Sequence, residues 1–436
     1  MSRVLILVLD ALGVGAMDDV PESRPRDVGA NTLLHVLRWR EQSQTDTRPL
    51  SNLARLGLGR LLAHLALEDG EGRGLGAIAL RSALGYSGAD SYVAHQTMMG
   101  TDMTGLRLGS FSRSESTIVK ALEGAGHEVR RALSGMPVLL VDGCMVVGDN
   151  LEADPGLNYN VTGSLDLTSF EHIAEVAKVV RGVVFVSRVI AVGGTGLDAG
   201  ELVSHLREGI GGVHGIDTPA TGFYDRDGLQ VRHMGSELDR SRQLPTLAVR
   251  AGLPVSLIGK MSDVVDCPEA NHLPGVQSEE VLETTLRVMG EQAGGLIAAN
   301  VQEMDLAGHR QDVARWAERL ELADRGLGEI LNLLDSEDIL MVLGDHGNDP
   351  IIGHEFHTRE YVPILAAADA SGEIAVEHGL RERGTLADVG ATAAAILGLP
   401  DELLETGEPI GELSSIGRGG SRASATVKVR REGTIE

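Results

Sequence analysis

The sequence predicts an α/β fold, a core sheet flanked by helices, with a smaller α+β unit inserted into it. Three observations carry that reading. Apolar runs of strand length at residues 4–9, 296–301 and 338–343 each lead to an aspartate with glycine close by, at Asp10, Asp305 and Asp345. Residues 312–334 place Val313, Trp316, Leu320, Ala323, Leu327, Ile330 and Leu334 on one helical face. Between about 106 and 245 the chain changes to short β-prone runs parted by glycine-rich turns such as Gly193-Gly194-Thr195-Gly196.

Taken in order, the first strand ends at Asp10, and Asp18, Asp19, Glu22 and Arg24 read as solvated loop. Residues 31–39 carry helical spacing in Leu33, Leu34, Val36 and Leu37. Ser91 follows in a glycine-bounded turn beside Asp90 and His95, a setting for an activated hydroxyl, which needs a metal or a base to attack at neutral pH. Asp90-Ser91 also reads as an ordinary helix N-cap, with Met98 and Met99 filling core and His95 orienting the segment. In the inserted unit, residues 114–122 read as a helix, and 137–141, 145–147, 183–186 and 189–192 as strands. A helix at 244–251, a strand at 254–258 with Lys260 at its exit, a strand at 362–366 and a helix at 386–397 complete the core. The expected division is therefore core over 1–105 and 246–415, an inserted α+β domain over 106–245, and a flexible tail over 416–436 carrying Arg418, Arg422, Lys428, Arg430 and Arg431.

Composition narrows the function classes. A net charge of −25 argues against nucleic acid or an anionic membrane as the main partner. It leaves phosphate esters open, because bound divalent cations invert the local charge. With only Cys144 and Cys267, no disulfide framework is implied, and a reducing compartment is expected. The apolar run before Asp10 is too short for a signal peptide, and none approaches the ~18 residues of a membrane span. A cytoplasmic protein is expected.

The chemistry gathers at strand ends. In open α/β sheets ligands bind where strands finish. Asp345-His346, with His357 eleven residues on, reads as part of a metal site, as do Asp10 and the Asp305/His309 pair. An aspartate beside glycine is also an ordinary strand exit. Three of them with histidines near two is a site. Arg188 reads either as a phosphate clamp or as a surface ion pair, and Lys260 either as a neutraliser of a transferring phosphoryl group or as structural. His354 reads as a loop residue without a role.

Several stretches resemble phosphopentomutase motifs: Leu9-Asp10-Ala11-Leu12-Gly13-Val14-Gly15, Gly88-Ala89-Asp90-Ser91, Gly259-Lys260-Met261-Ser262-Asp263, Gly308-His309-Arg310-Gln311-Asp312, Asp345-His346-Gly347-Asn348-Asp349-Pro350 and His357-Thr358-Arg359-Glu360-Tyr361-Val362-Pro363. That family belongs to the alkaline phosphatase superfamily, alongside cofactor-independent phosphoglycerate mutase. The resemblance implies an alkaline-phosphatase-like core and two divalent ions, usually Mn²⁺. Asp305, His309 and His357 would hold one ion and Asp10, Asp345 and His346 the other, with Ser91 as the phosphorylated nucleophile. It also implies a sugar-phosphate substrate, a cap that closes over it, and a sugar bisphosphate as possible activator. The chain departs from the family in carrying Ser91 where threonine is usual. Asp305 stands four residues before His309 rather than five. Val192-Gly193-Gly194 replaces the Arg-Pro-Phe that usually follows the arginine segment at Ser187-Arg188-Val189-Ile190-Ala191.

Three function classes follow: a phosphomutase acting through phospho-Ser91, a metal-dependent phosphatase or phosphodiesterase on the same core, and a non-catalytic sugar-phosphate binder. The Ser91 segment lacks the Cys/Ser-x-Pro-x-Arg pattern that sulfatases need. Metal content separates the third class from the others, and product analysis separates the first two.

Overall fold

The computed structural model describes residues 2–43, 49–61, 77–106, 108–223, 226, 228–235, 238–368 and 382–414. The basic tail lies outside them. An eight-stranded sheet forms the larger layer, in the order Asn271–Leu273, Val255–Gly259, Gly295–Val301, Arg3–Leu9, Asp338–Leu343, Val362–Ala368, Ala77–Ser82 and Glu382–Arg383. The first five run parallel, and Val362–Ala368 pairs antiparallel to both its neighbours. Every residue of Arg3–Leu9, Gly295–Val301 and Asp338–Leu343 is buried, which is why these segments read as unbroken apolar runs. Helices Thr32–Gln42, Ser278–Glu291 and Val313–Asn332 pack their apolar stripes onto this layer.

Register fixes the functional rim. Leu9 pairs with Val301, Val8 with Leu343, and Gly259 with Asn300. Four parallel strands therefore end at one level, and the residues just beyond them (Asp10, Lys260, the Glu303–His309 helix and Asp345) emerge side by side.

The second sheet draws its six strands from residues 129–235, in the order Gln230–Gly235, Arg188–Gly194, Asn158–Ser164, Met145–Asp149, Leu139–Val141 and Val129–Arg131. Helices Phe111–Gly124 and Phe170–Arg181 cover one face, burying Phe111, Ile118, Leu122, Tyr159, Val161 and Ile173. On the other face, Leu140 and Val146 pack against Leu202, Ile216 and Phe223, and the part formed by Asn158–Ser164, Arg188–Gly194 and Gln230–Gly235 lies over the rim of the large sheet.

Three expectations change. Residues 183–186 are not a strand: Arg181 donates to the carbonyls of Val184 (2.5 Å) and Val186 (2.7 Å), taking the acceptors a ladder would use. Asn158–Ser164, a central strand, went unread because Asn158, Asn160 and Thr162 break the apolar run. Arg24 is not solvated. It is buried, bonds Asp27 at 2.5 Å, pairs with Asp154 of the smaller sheet's loop, and donates to the His357 carbonyl at 2.5 Å.

The turns at the rim are built around one carboxylate. Glu360, fully buried, accepts from Gly15 N (3.0 Å), Thr32 N (3.0 Å), Thr32 Oγ1 (2.6 Å) and Thr358 Oγ1 (2.6 Å). Gly13 and Gly347 are needed there, since a Cβ at either would run into that carboxylate. Glu360→Ala strands the buried Thr32 N–H, the half-buried Gly15 N–H and two hydroxyls. It is expected to destabilise the protein by about 3–5 kcal/mol, read as a fall in the denaturation midpoint in urea.

Candidate metal centre

The six ligand-type side chains named from the sequence converge at this rim. Asp10 is fully buried. Its Oδ2 accepts from Lys260 Nζ at 2.7 Å, while Oδ1 has no hydrogen-bond partner and lies 3.7 Å from His346 Nε2. Asp345 Oδ1 accepts from Ala11 N (2.9 Å) and His346 N (3.0 Å). Its Oδ2 is likewise without a partner, 3.2 Å from His346 Nε2. A few ångströms away, His357 Nε2 is 3.3 Å from Asp305 Oδ1, and His309 Nε2 is 3.5 Å from Asp305 Oδ2. The two Nε2 atoms of His309 and His357 face each other at 3.0 Å. The His346 and His357 rings stack at 3.8 Å between centroids, which joins the two groups into one cluster.

Each of these histidines is oriented by a bond on its other nitrogen. Nδ1 of His309, His346 and His357 lies 2.7, 3.0 and 3.1 Å from the carbonyls of Glu355, Gly347 and Ala89. A carbonyl can only accept, so Nδ1 carries a proton and every Nε2 is turned into the cluster, where its lone pair would serve a metal once any proton there is displaced. Asn348 Nδ2 holds Asp305 Oδ1 at 2.9 Å. His354, in the following loop, brings Nε2 within 3.2 Å of Asp27 Oδ1 rather than joining the cluster.

These residues fit divalent ions. Two carboxylate oxygens are buried without a donor, two imidazole Nε2 atoms face each other at 3.0 Å, and three aspartates surround one ammonium. Such an arrangement is costly unless cations occupy it. A mixed N/O donor set suits a borderline or hard divalent metal. Electrostatics agree. Burial and the neighbouring Asp345 push the Asp10 carboxyl up to about 6. Burial also raises Asp345 and lowers His346 to about 3, keeping that imidazole neutral. Burial would raise Asp305 too, but the charges of His309, His357 and Lys260 outweigh it and hold it well below the ordinary range.

Metal uptake should therefore compete with protons on two ligands: His357, which burial would lower but Asp305 raises to about 9, and Asp10, raised to about 6. Both must be deprotonated to hold an ion. Apparent metal affinity is expected to fall about tenfold per pH unit below about 9 and more steeply below 6, measured by metal titration across pH 5–10.

Ser91 meets this cluster at the first residue of the helix Ser91–Met98, which Asp90 caps by accepting from Val93 N at 3.0 Å. The N-cap reading of Asp90-Ser91 thus falls on Asp90, which leaves the Ser91 hydroxyl free to face the cluster. Ser91 Oγ is 2.8 Å from His346 Nε2 and 2.8 Å from Lys260 Nζ. Lysine donates and the unprotonated Nε2 accepts, so the hydroxyl is held between them. Burial works to lower the Lys260 pKa, but Asp10, Asp305 and Asp345 outweigh it and hold the ammonium charged. His95 is buried and depressed to about 4. Its Nδ1 bonds the Ser91 carbonyl at 2.6 Å and its Nε2 accepts from Asn300 Nδ2 at 2.9 Å, so it fixes the helix start as a neutral ring.

Above the cluster lies a cavity of about 490 Å³. Its floor is Ser91, Lys260, Asp305, His309 and His357, and its roof is the open face of the smaller sheet: Asn158 and Asn160, then Arg188, Ile190 and Val192, then Val231 and His233. Residues two apart on paired strands share a face, so Asn160, Ile190 and His233 align across three strands. Arg188 is no surface ion pair: it reaches down to Asp90 Oδ2 at 2.9 Å. Asn158, 1% exposed, has both side-chain amide atoms without a partner. Sequence reasoning missed this roof. The alternation Asn158-Tyr159-Asn160-Val161-Thr162 was its signal, one face for a core and one for a polar cavity.

Residues 2–401 match the metalloenzyme superfamily. A phosphopentomutase of Symbiobacterium thermophilum is 30% identical over 419 residues, covering 92% of this chain and 96% of the relative. One from Desulfitobacterium hafniense is 28% identical over 422 residues, covering 95% and 100%. A phosphoglycerate mutase structure from Leishmania mexicana aligns over 94% of this chain and 97% of that one, at 14% identity and a TM-score of 0.44, too loose to carry an argument. The chain belongs to the metalloenzyme superfamily and, within it, to the phosphopentomutase family.

No helix among the described residues is long and apolar enough to cross a membrane.

Proposed function

We propose that the protein is a metal-dependent phosphomutase that moves a phosphoryl group within a phosphorylated pentose or closely related sugar, with Ser91 as the phosphorylated side chain. The observation that supports this best is the position of Ser91 Oγ, 2.8 Å from Lys260 Nζ at the edge of a cluster of three carboxylates and three imidazoles. We assign Asp305, His309 and His357 to one divalent ion and Asp10, Asp345 and His346 to a second, Mn²⁺ being the expected species. When bound, the ions supply charge that stabilises the phosphoryl oxygens and the attacking alkoxide.

The chain's own residues do the rest. Lys260 holds its ammonium against Ser91 Oγ, where negative charge grows as the hydroxyl loses its proton. Asp90 and His95 fix the helix start so that Oγ faces the cluster. Arg188 stands over this point with Nε unpartnered and suits a phosphate oxygen. Asn158, Asn160 and His233 offer donors and acceptors to sugar hydroxyls, with Ile190 and Val192 against the ring. A sugar bisphosphate would serve to phosphorylate Ser91 at the outset.

Residues 106–245 act in this reading as a cap that keeps water from the phosphoserine, since hydrolysis there would make a phosphatase. Arg24 and Arg26, both from the core loop, grip Asp154 of the cap, the latter at 2.5 Å. Asp154→Ala should loosen that grip and raise inorganic phosphate release relative to isomerisation several-fold, measured on one sample by phosphate assay and product chromatography. The parent activity is tested by incubating the Mn²⁺-loaded protein with ribose 5-phosphate and a bisphosphate activator. Ribose 1-phosphate without stoichiometric phosphate release is expected, and phosphate release alone would replace the mutase with the phosphatase reading.

A further inference from the structure

A second cluster of metal-ligating side chains sits on the helix-covered side of the smaller sheet, away from the cavity. His127 follows the helix Phe111–Gly124, Asp142 occupies the turn between Leu139–Val141 and Met145–Asp149, and His172 lies in the first turn of Phe170–Arg181. Asp142 Oδ2 is 2.8 Å from His127 Nδ1 and 3.0 Å from His172 Nε2. The three atoms lie within 4.8 Å of one another. Neighbouring ligands of a tetrahedral Zn²⁺ site, with bonds near 2.0–2.1 Å, stand about 3.3 Å apart, so each imidazole nitrogen need draw back from Asp142 Oδ2 by only a few tenths of an ångström for an ion to replace the hydrogen bonds.

The carboxylate is already positioned for this. Asp142 has φ +50° and Gly143 φ +69°, the left-handed pair of a tight hairpin turn. Asp142 Oδ1 is tied to Glu128 N at 2.9 Å, which leaves Oδ2 for the imidazoles. Glu175 Oε2, 3.8 Å from His172 Nδ1, stands behind that ring where a ligating histidine commonly finds a carboxylate. The side chains are 14%, 24% and 34% exposed for His127, Asp142 and His172, so solvent can reach the cluster and water can complete the coordination.

We propose that His127, Asp142 and His172 form a peripheral site for a borderline divalent transition metal, Zn²⁺ above all, distinct from the centre at Ser91. Two imidazoles and one carboxylate favour such an ion over Mg²⁺ or Ca²⁺, which take oxygen ligands. The ion would join three separately encoded elements, the end of one helix, a hairpin turn and the start of the next helix, and so brace the layer that backs the cavity. In the competing arrangement both rings simply donate N–H to Asp142 Oδ2, and no ion enters.

The two are separated by counting ions. Metal-free protein is equilibrated with Zn²⁺, dialysed, and analysed for zinc per chain, beside the double variant His127→Ala/His172→Ala and the single variant Asp142→Asn. The latter preserves side-chain shape and guards against a folding defect in the former. The wild type should hold one zinc per chain more than either variant. Zinc should also raise its unfolding temperature more than theirs. Equal counts in the three proteins would overturn the site. Because the readout is a difference of one ion, it is independent of how many ions the Ser91 centre holds.

Discussion

Ser91→Ala should keep both metals and lose turnover by at least about 10³-fold. The hydroxyl is one small group on the first turn of a helix whose start is fixed by other bonds, those of Asp90 to Val93 N and of His95 to the Ser91 carbonyl. Removing Oγ deletes the acceptor of the Lys260 contact and the donor to His346 Nε2, and it leaves the six ligand-type side chains where they are. Metal content measured alongside kcat makes the result specific. Lost turnover with full metal places Ser91 in the chemistry, whereas full activity removes it from the mechanism. Threonine at this position should retain activity, since it supplies the same hydroxyl.

Lys260→Met should produce the next largest effect, a fall in kcat of about 10²–10³-fold with metal still bound. The ammonium is 2.7 Å from Asp10 Oδ2 and 3.6 Å from Asp305 Oδ2 as well as 2.8 Å from Ser91 Oγ. It therefore reaches one oxygen from each proposed ion-binding group and the proposed nucleophile between them. A counter-ion for the carboxylates alone would become dispensable once divalent ions are bound, and kcat would then stay within a few-fold of wild type. A charge aimed at the reacting oxygen remains needed, and kcat falls while metal stoichiometry holds. Methionine keeps most of the stem, so packing beneath Ser91 changes little.

How much could be read from the chain alone depended on how local the signal was. Asp10 and Asp345 were legible because buried parallel strands are nearly all apolar, so the first charged residue after each marks its end; Asp305, which follows Glu303, was legible through His309 four residues on. Register then brings those ends together, as Leu9 with Val301 and Val8 with Leu343. Lys260 was found at a strand exit, though its bond to Asp10 spans 250 residues. Arg24 was misread for the same reason of range. Its neighbours Asp18, Asp19 and Glu22 suggest a solvated run, and nothing near it announces Asp154, 130 residues on. The valines at 183–186 carry strand propensity, but Arg181 claims the local carbonyls and tertiary packing decides the conformation. Asn158 and Asn160 were missed because the strand was sought as an unbroken apolar run, whereas this one alternates Tyr159 and Val161 toward the core with asparagines toward the cavity.

The account rests on a pair of ions beside one serine hydroxyl. Crystals of the Mn²⁺-loaded protein, measured at the manganese absorption edge, test it most directly. Two anomalous peaks are predicted in the rim, one touching Asp305, His309 and His357, the other Asp10, Asp345 and His346, with Ser91 Oγ next to both. A single peak, or manganese bound elsewhere while Lys260 keeps its place against Asp10, would contradict it.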